Sequence, residues 1–70
     1  MRYYTFALDN GGGTEDLGGM ALTDDTEAVG FATQRIQDLR SFGDHQHARW
    51  WMKITEGERI VDTIPFELGH

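Results

Sequence analysis

His45 and His47 are the side chains with the clearest ligand chemistry, because they stand two positions apart beside Asp44. In an extended segment, residues at i and i+2 point to the same side, and His70 supplies a third imidazole. The segment is nevertheless polar and lacks cysteine, and two imidazoles alone hold a metal ion weakly. We therefore predict a solvated loop with no native metal site, in which His45 and His47 are only weak candidates for metal ligands.

Carboxylate and imidazole groups suited to acid–base catalysis can also be paired, such as Asp24 with His45 or Asp44 with His47. A catalytic pair needs a dry concave pocket, whose volume is typically ~300 Å³ or more. A single helix on a small sheet uses its apolar side chains to fill its only core. The run Gly11–Gly13 lacks the lysine and the following helix of a phosphate loop. We therefore expect no catalytic residue, no enzyme activity and no cofactor.

The charge of the chain argues against nucleic acid and anionic membranes as partners. Among 70 residues, twelve are acidic and six are basic, which gives a net charge of −6. The cations are scattered, at Arg2, Arg35, Arg40, Arg49, Lys53 and Arg59. Phosphate backbones repel such a chain, whereas its charge permits a basic protein partner and also serves solubility. The opening residues lack the apolar stretch of a signal peptide, and no apolar run nears the ~18 residues of a membrane span. We therefore expect a cytoplasmic protein. Its length predicts a single domain over residues 1–70.

Alternation near the N-terminus predicts a first strand from Tyr3 to Leu8. One face of this strand is large and apolar, and we assign it to the core: Tyr4, Phe6 and Leu8. The opposite face carries Tyr3, Thr5 and Ala7. The residues from Asp9 to Gly13 end the strand, because Asn-Gly and Gly-Gly adopt positive φ at low cost. A very short second strand is predicted at Met20–Leu22.

An amphipathic helix is predicted from about Asp25 to Arg40. Asp24 and Glu27 are spaced as in a capping box, with acidic residues in the first turn where the helix dipole favours them. Gly43 is suited to end the helix. The expected core face contains Ala28, Val29, Phe31, Ala32, Ile36, Leu39 and Phe42.

A final hairpin is predicted from strands at Trp50–Thr55 and Arg59–Phe66, joined at Glu56-Gly57-Glu58. Pro65 places the second of these strands at an edge or ends it. A loop of odd length pairs Ile54 with Ile60, and a loop of even length pairs Met52 with Val61. We prefer the first register because it aligns more apolar pairs.

These elements predict an α+β fold in the order β-β-α-β-β, with one helix on one face of a three- to four-stranded antiparallel sheet. Alternation then leaves four residues on the uncovered face as interface candidates: Tyr3, Thr5, Trp51 and Lys53. Tryptophan and tyrosine are enriched at interfaces, and a small domain without disulfides gains stability from association. We therefore expect a non-enzymatic interaction or regulatory module that forms a homodimer, with Tyr3 and Trp51 in one patch.

Three stretches occur here in one order: R-Y-Y-x-F-x-L-D-N-G, then G-x-x-L-x-D-x-x-E-A, then W-x-M-x-I-T-x-G-E-R-I-V-x-T-I-P-F. Together they resemble a family of small uncharacterised proteins common in alphaproteobacteria, especially rhizobial lineages. The closing R-I-V-x-T-I-P-F, from Arg59 to Phe66, is the most specific stretch. The resemblance implies this fold and a bacterial origin, and it assigns no activity and no site.

A more distant likeness is to antitoxin modules that inhibit small RNA-cleaving toxins. It is carried by the M-R-Y-Y opening and by one helix after a short strand, without the P-D-x-P-G stretch that usually precedes their helix. This likeness implies the alternative function, an antitoxin-like inhibitor that binds a basic protein partner.

Overall fold

The chain forms a four-stranded antiparallel sheet and one helix in a computed structural model, which describes residues 1–43 and 49–66. The sheet order is β2-β1-β3-β4. The elements are β1 (Arg2–Asp9), β2 (Thr14–Leu22), α1 (Asp25–Ser41), β3 (Trp51–Glu56) and β4 (Arg59–Pro65). The predicted α+β fold, with its order β-β-α-β-β, is confirmed. Pro65 ends β4, which is an edge strand as its sequence predicts.

The core lies between α1 and one face of the sheet. The strands contribute alternate residues and the helix contributes residues four apart, because these spacings place side chains on one face of each element. The buried apolar residues are Tyr4, Phe6, Leu8, Ala28, Ala32, Ile36, Met52, Ile54, Ile64 and Phe66. The predicted inward face of β1 is therefore confirmed.

The predicted capping of α1 is confirmed. Asp24 has extended backbone angles, and its Oδ1 accepts a hydrogen bond from the Glu27 N–H at 2.9 Å. In return, Oε1 of Glu27 accepts from the Thr23 N–H at 2.8 Å. At the other end Gly43 adopts a φ of +83° and its N–H donates to the Arg40 carbonyl.

Phe42 does not belong to the core face of α1, contrary to prediction. It is the C-terminal capping residue of the helix, and 88% of it is exposed. The helical spacing from Leu39 predicts a buried position, but the chain turns away at Gly43 before this residue reaches the sheet.

The second strand is longer than predicted, with nine residues that begin at Thr14. Its register against β1 shifts between Phe6 and Ala7, where a bulge adds one residue, and Gly18 beside the bulge has a φ of +97°. No residue of β2 is fully buried. Polar residues are tolerated here because an edge strand exposes most of its side chains, so the sequence shows little alternation.

The β3–β4 hairpin closes with a two-residue turn, and Glu56 pairs with Arg59. Gly57 occupies the turn with a φ of +60°, a conformation that favours glycine. This even loop differs from the odd loop that the pairing of apolar residues favours.

A bulge within β4 shifts the pairing of β3 with β4, so that neither predicted register forms. Val61 is the extra residue, so Ile54 pairs with Asp62. The pairing of Ile54 with Ile60 and the alternative pairing of Met52 with Val61 are therefore both wrong. A count of residues across the turn cannot reveal a bulge further along the strand.

Candidate interaction surface

The sheet face opposite α1 is covered by no helix or strand of the described chain. We call it the open face, and its residues from the three strands β1, β3 and β4 are Tyr3, Thr5, Ala7, Asp9, Trp51, Lys53, Thr55, Ile60, Thr63 and Pro65. The four predicted interface residues all lie on it. Ile60 joins it unexpectedly, because the bulge at Val61 turns Ile60 to this side of the sheet.

The centre of the open face is made of small and polar side chains. Thr5 pairs with Thr55, and their hydroxyl groups form a hydrogen bond across the strands. In the next row Ala7 pairs with Lys53, which is half-buried. A second surface can therefore approach the centre closely, with Lys53 as its one cation among the described residues.

Tyr3 and Trp51 lie at opposite ends of the open face, so the expected single aromatic patch is wrong. Trp51 pairs with Asp9, six positions along β1 from Tyr3. Six residues of a strand span about 20 Å. The separation arises because antiparallel pairing places the start of β1 beside the end of β3, and alternation alone does not determine this register.

Tyr3 forms the first apolar end, and Ile60 lies on β4 beside Thr55, in the row next to it. Of each residue, 59% is exposed. The hydroxyl end of the Tyr3 ring lies over Gly19 of β2, so closely that a β-carbon on Gly19 would overlap it. An aromatic ring that covers a strand glycine in this way supplies the packing that the glycine lacks. Gly19 thus leaves room for the Tyr3 ring, a role that the sequence does not indicate.

Trp51 dominates the second apolar end. Its Cη2 atom lies 3.7 Å from the position of a β-carbon on Gly11, in the β1–β2 turn. Beside it is a shallow open cavity of about 380 Å³, lined by Arg49, Trp50, Trp51, Thr63 and Pro65. Trp50, just before β3, is half-buried and packs against the core.

A charged cluster on the helix side of the sheet joins the start of α1 to the β3–β4 hairpin. Arg59 donates two hydrogen bonds to the Asp25 carboxylate, at 3.1 and 2.9 Å, and two to Oε1 of Glu56, at 3.2 and 2.5 Å. The hydroxyl of buried Tyr4 donates to Asp25 at 2.8 Å. Arg2 lies 3.5 Å from Asp25 and 3.7 Å from Glu56.

The hydrogen bonds within this cluster shift the pKa values of Asp25 and Tyr4. The hydrogen bonds from Arg59, followed by that from Tyr4, hold the pKa of Asp25 at about 2. Burial raises the pKa of Tyr4, and its hydrogen bond to Asp25 raises it further. A carboxylate with so low a pKa is a poor proton acceptor at neutral pH, so the arrangement is suited to holding the helix on the hairpin.

The two histidine candidates, His45 and His47, lie outside the described residues, as do Asp44 and His70. Within residues 1–43 and 49–66, no group of three or more histidine, cysteine or acidic side chains is placed to hold a metal ion. In the same ranges, the helix is neither long enough nor apolar enough to cross a bilayer.

A known protein family covers nearly the whole chain. Residues 2–67, from the start of β1 to just beyond β4, match a domain of unknown function, DUF6894. The chain belongs to the DUF6894 family. No curated protein and no solved structure matches it. The predicted resemblance to an uncharacterised family is thus confirmed at the level of the family, and the open face is the surface on which a function can be argued.

Proposed function

We propose that this chain is a non-enzymatic interaction module that forms a symmetric homodimer through its open face. The supporting observation is that α1 covers one face of the sheet, while Tyr3, Trp51 and Ile60 remain on the other. Tryptophan and tyrosine are enriched at the centres of protein interfaces. We further propose that the family is the alphaproteobacterial one that the three sequence stretches resemble.

The layout of the open face favours a second copy as its occupant. The face has two apolar ends around a small polar centre, so a two-fold axis that crosses the strands brings each end against the opposite end of the partner. Trp51 of one copy then packs over the Tyr3 end of the other, and the reverse contact forms at the same time. The small Thr5–Thr55 centre lets the two sheets approach.

The size of the face predicts a weak dimer. Four strands about 4.8 Å apart and about seven residues long span roughly 440 Å² in projection. Two copies then bury roughly 900 Å², which falls below the ~1,200 Å² of stable specific interfaces. The net charge of −6 on each copy adds repulsion. We therefore expect monomer and dimer to exchange in the micromolar range of concentration.

Sedimentation velocity on two matched variants tests this proposal. Trp51→Glu puts a charge at the centre of one apolar end, and we expect a folded monomer. Phe42→Glu makes a comparable change at a residue that is 88% exposed beyond the helix, away from the open face, and we expect a dimer. Circular dichroism confirms that both variants fold. A dimer of Trp51→Glu, or a monomer of Phe42→Glu, would show that the chain associates through another surface.

The alternative proposal, an antitoxin-like inhibitor of a basic protein, is supported by the net charge of −6. A basic partner that co-purifies with the untagged chain from its native cell, in a one-to-one complex that dissociates at high salt, would favour it. The dimer needs no such partner.

A further inference from the structure

A groove lies between α1 and the outer strand β2, on the helix side of the sheet. Its walls are Phe6, Leu17, Met20 and Phe31, with the backbone of Gly18–Gly19 at one side and Arg35 at the mouth. The rings of Phe6 and Phe31 meet at 4.9 Å, with an angle of 53° between their planes. A β-carbon on Gly18 would find no atom within 4 Å, so the groove is empty where another residue would place its side chain.

The groove is sized for one side chain. Its volume is about 170 Å³, against roughly 300 Å³ for the smallest typical small-molecule sites. Met20 beside it is 38% exposed, and Leu17 is half-buried. Entry of one aliphatic or aromatic side chain would therefore cover apolar surface that the helix leaves in water.

The outer edge of β2 offers a backbone next to this groove. From Gly18 to Leu22 the strand pairs with β1 in unbroken register and carries no charged residue. No strand of the described chain pairs with its outer side, because β2 is the last strand of the sheet. Edge strands that resist pairing usually carry charges, proline or a bulge, and here the bulge lies only at the Leu17 end.

We propose that the β2 edge and the adjoining groove bind an extended segment of another protein as a fifth strand. One apolar side chain of the segment enters the groove, and a carboxylate on the same face of the segment binds Arg35. The charge preference follows from Arg35, which forms no ion pair with any acidic residue in the described part of the chain. This site is separate from the open face, so it does not depend on the proposed dimer.

The probe is the capped peptide acetyl-TVTLTET-amide, titrated into the isotope-labelled chain and followed by NMR. It alternates so that valine, leucine and glutamate share one face. We expect shifts at Leu17–Leu22 and Phe31, and weaker binding by about tenfold when alanine replaces the leucine. Arg35→Gln should weaken binding about threefold, whereas the matched Arg40→Gln, in the last turn of α1, should not.

Backbone pairing is tested with two N-methylated versions of the same peptide. In an added strand, alternate N–H groups face the sheet, so methylation of one alternate set must abolish binding and methylation of the other must not. The proposal is overturned if the peptide does not bind at millimolar concentration, or if its shifts map to the open face. Equal effects of the two methylated sets, or of the two arginine variants, would also overturn it.

Discussion

Asp24→Ala should destabilise the fold by about 1 kcal/mol, because it removes the acceptor for the Glu27 N–H at the start of α1. The bond is 2.9 Å long and exposed to water, which places its contribution in the middle of the range for such caps. Asp24 has extended angles and lies outside the helix, so the helix preference of alanine gives no compensation. For 70 residues the unfolding entropy is about 0.15 kcal/mol/K, and the expected fall in melting temperature is about 7 °C.

Thermal unfolding followed by circular dichroism measures this change, with Gln37→Ala as the control. Gln37 is an exposed residue on the same helix, whereas Gln34 donates to Asp38 and would be a less neutral choice. Asp24→Ser should restore most of the loss, since serine also caps well. If Asp24→Ala and Gln37→Ala melt at the same temperature, the cap does not hold the helix start.

The structure supports three further predictions. Asp25→Asn should make stability depend less on pH in the acid range. The depressed pKa of Asp25, about 2, stabilises the wild type above the ordinary value of 3.8, and this stabilisation is lost as the pH falls through about 2. Urea midpoints measured over a pH series would show the difference. Gly19→Ala should lower the melting temperature of the wild type, but raise it when Tyr3→Ala has removed the overlapping ring. In calorimetry, Phe66→Ala should cost about 3–5 kcal/mol because Phe66 is buried, whereas Phe42→Ala should stay within about 0.5 kcal/mol.

The helix and the inward face of β1 could be predicted because each depends on local signals. Asp24 and Glu27 carry the capping pattern, and Tyr4, Phe6 and Leu8 alternate without interruption. The length of β2 could not be predicted, because an edge strand with polar residues and glycines lacks the alternation that marks a strand. The hairpin register failed for a different reason, since a bulge at Val61 follows from packing across the sheet and has no signature in the turn.

The candidate surface was predicted only in part. Alternation placed Tyr3, Thr5, Trp51 and Lys53 on one face, which the strand pairing bears out. Their positions within that face depend on the register between β1 and β3, two strands that are distant in sequence. The groove beside β2 was missed as well, because it arises where the helix stops short of the outer strand, and the position of α1 across the sheet is a property of the whole core.

Sedimentation equilibrium of the unaltered, untagged chain tests the central claim most directly. The proposed interface predicts that the weight-average mass rises with concentration, from 7.9 kDa toward twice that value across the micromolar range, without larger species. The absence of larger species matters because a two-fold interface closes on itself. A mass that stays at 7.9 kDa up to high micromolar concentration would contradict the dimer, and growth beyond two copies would contradict its two-fold geometry.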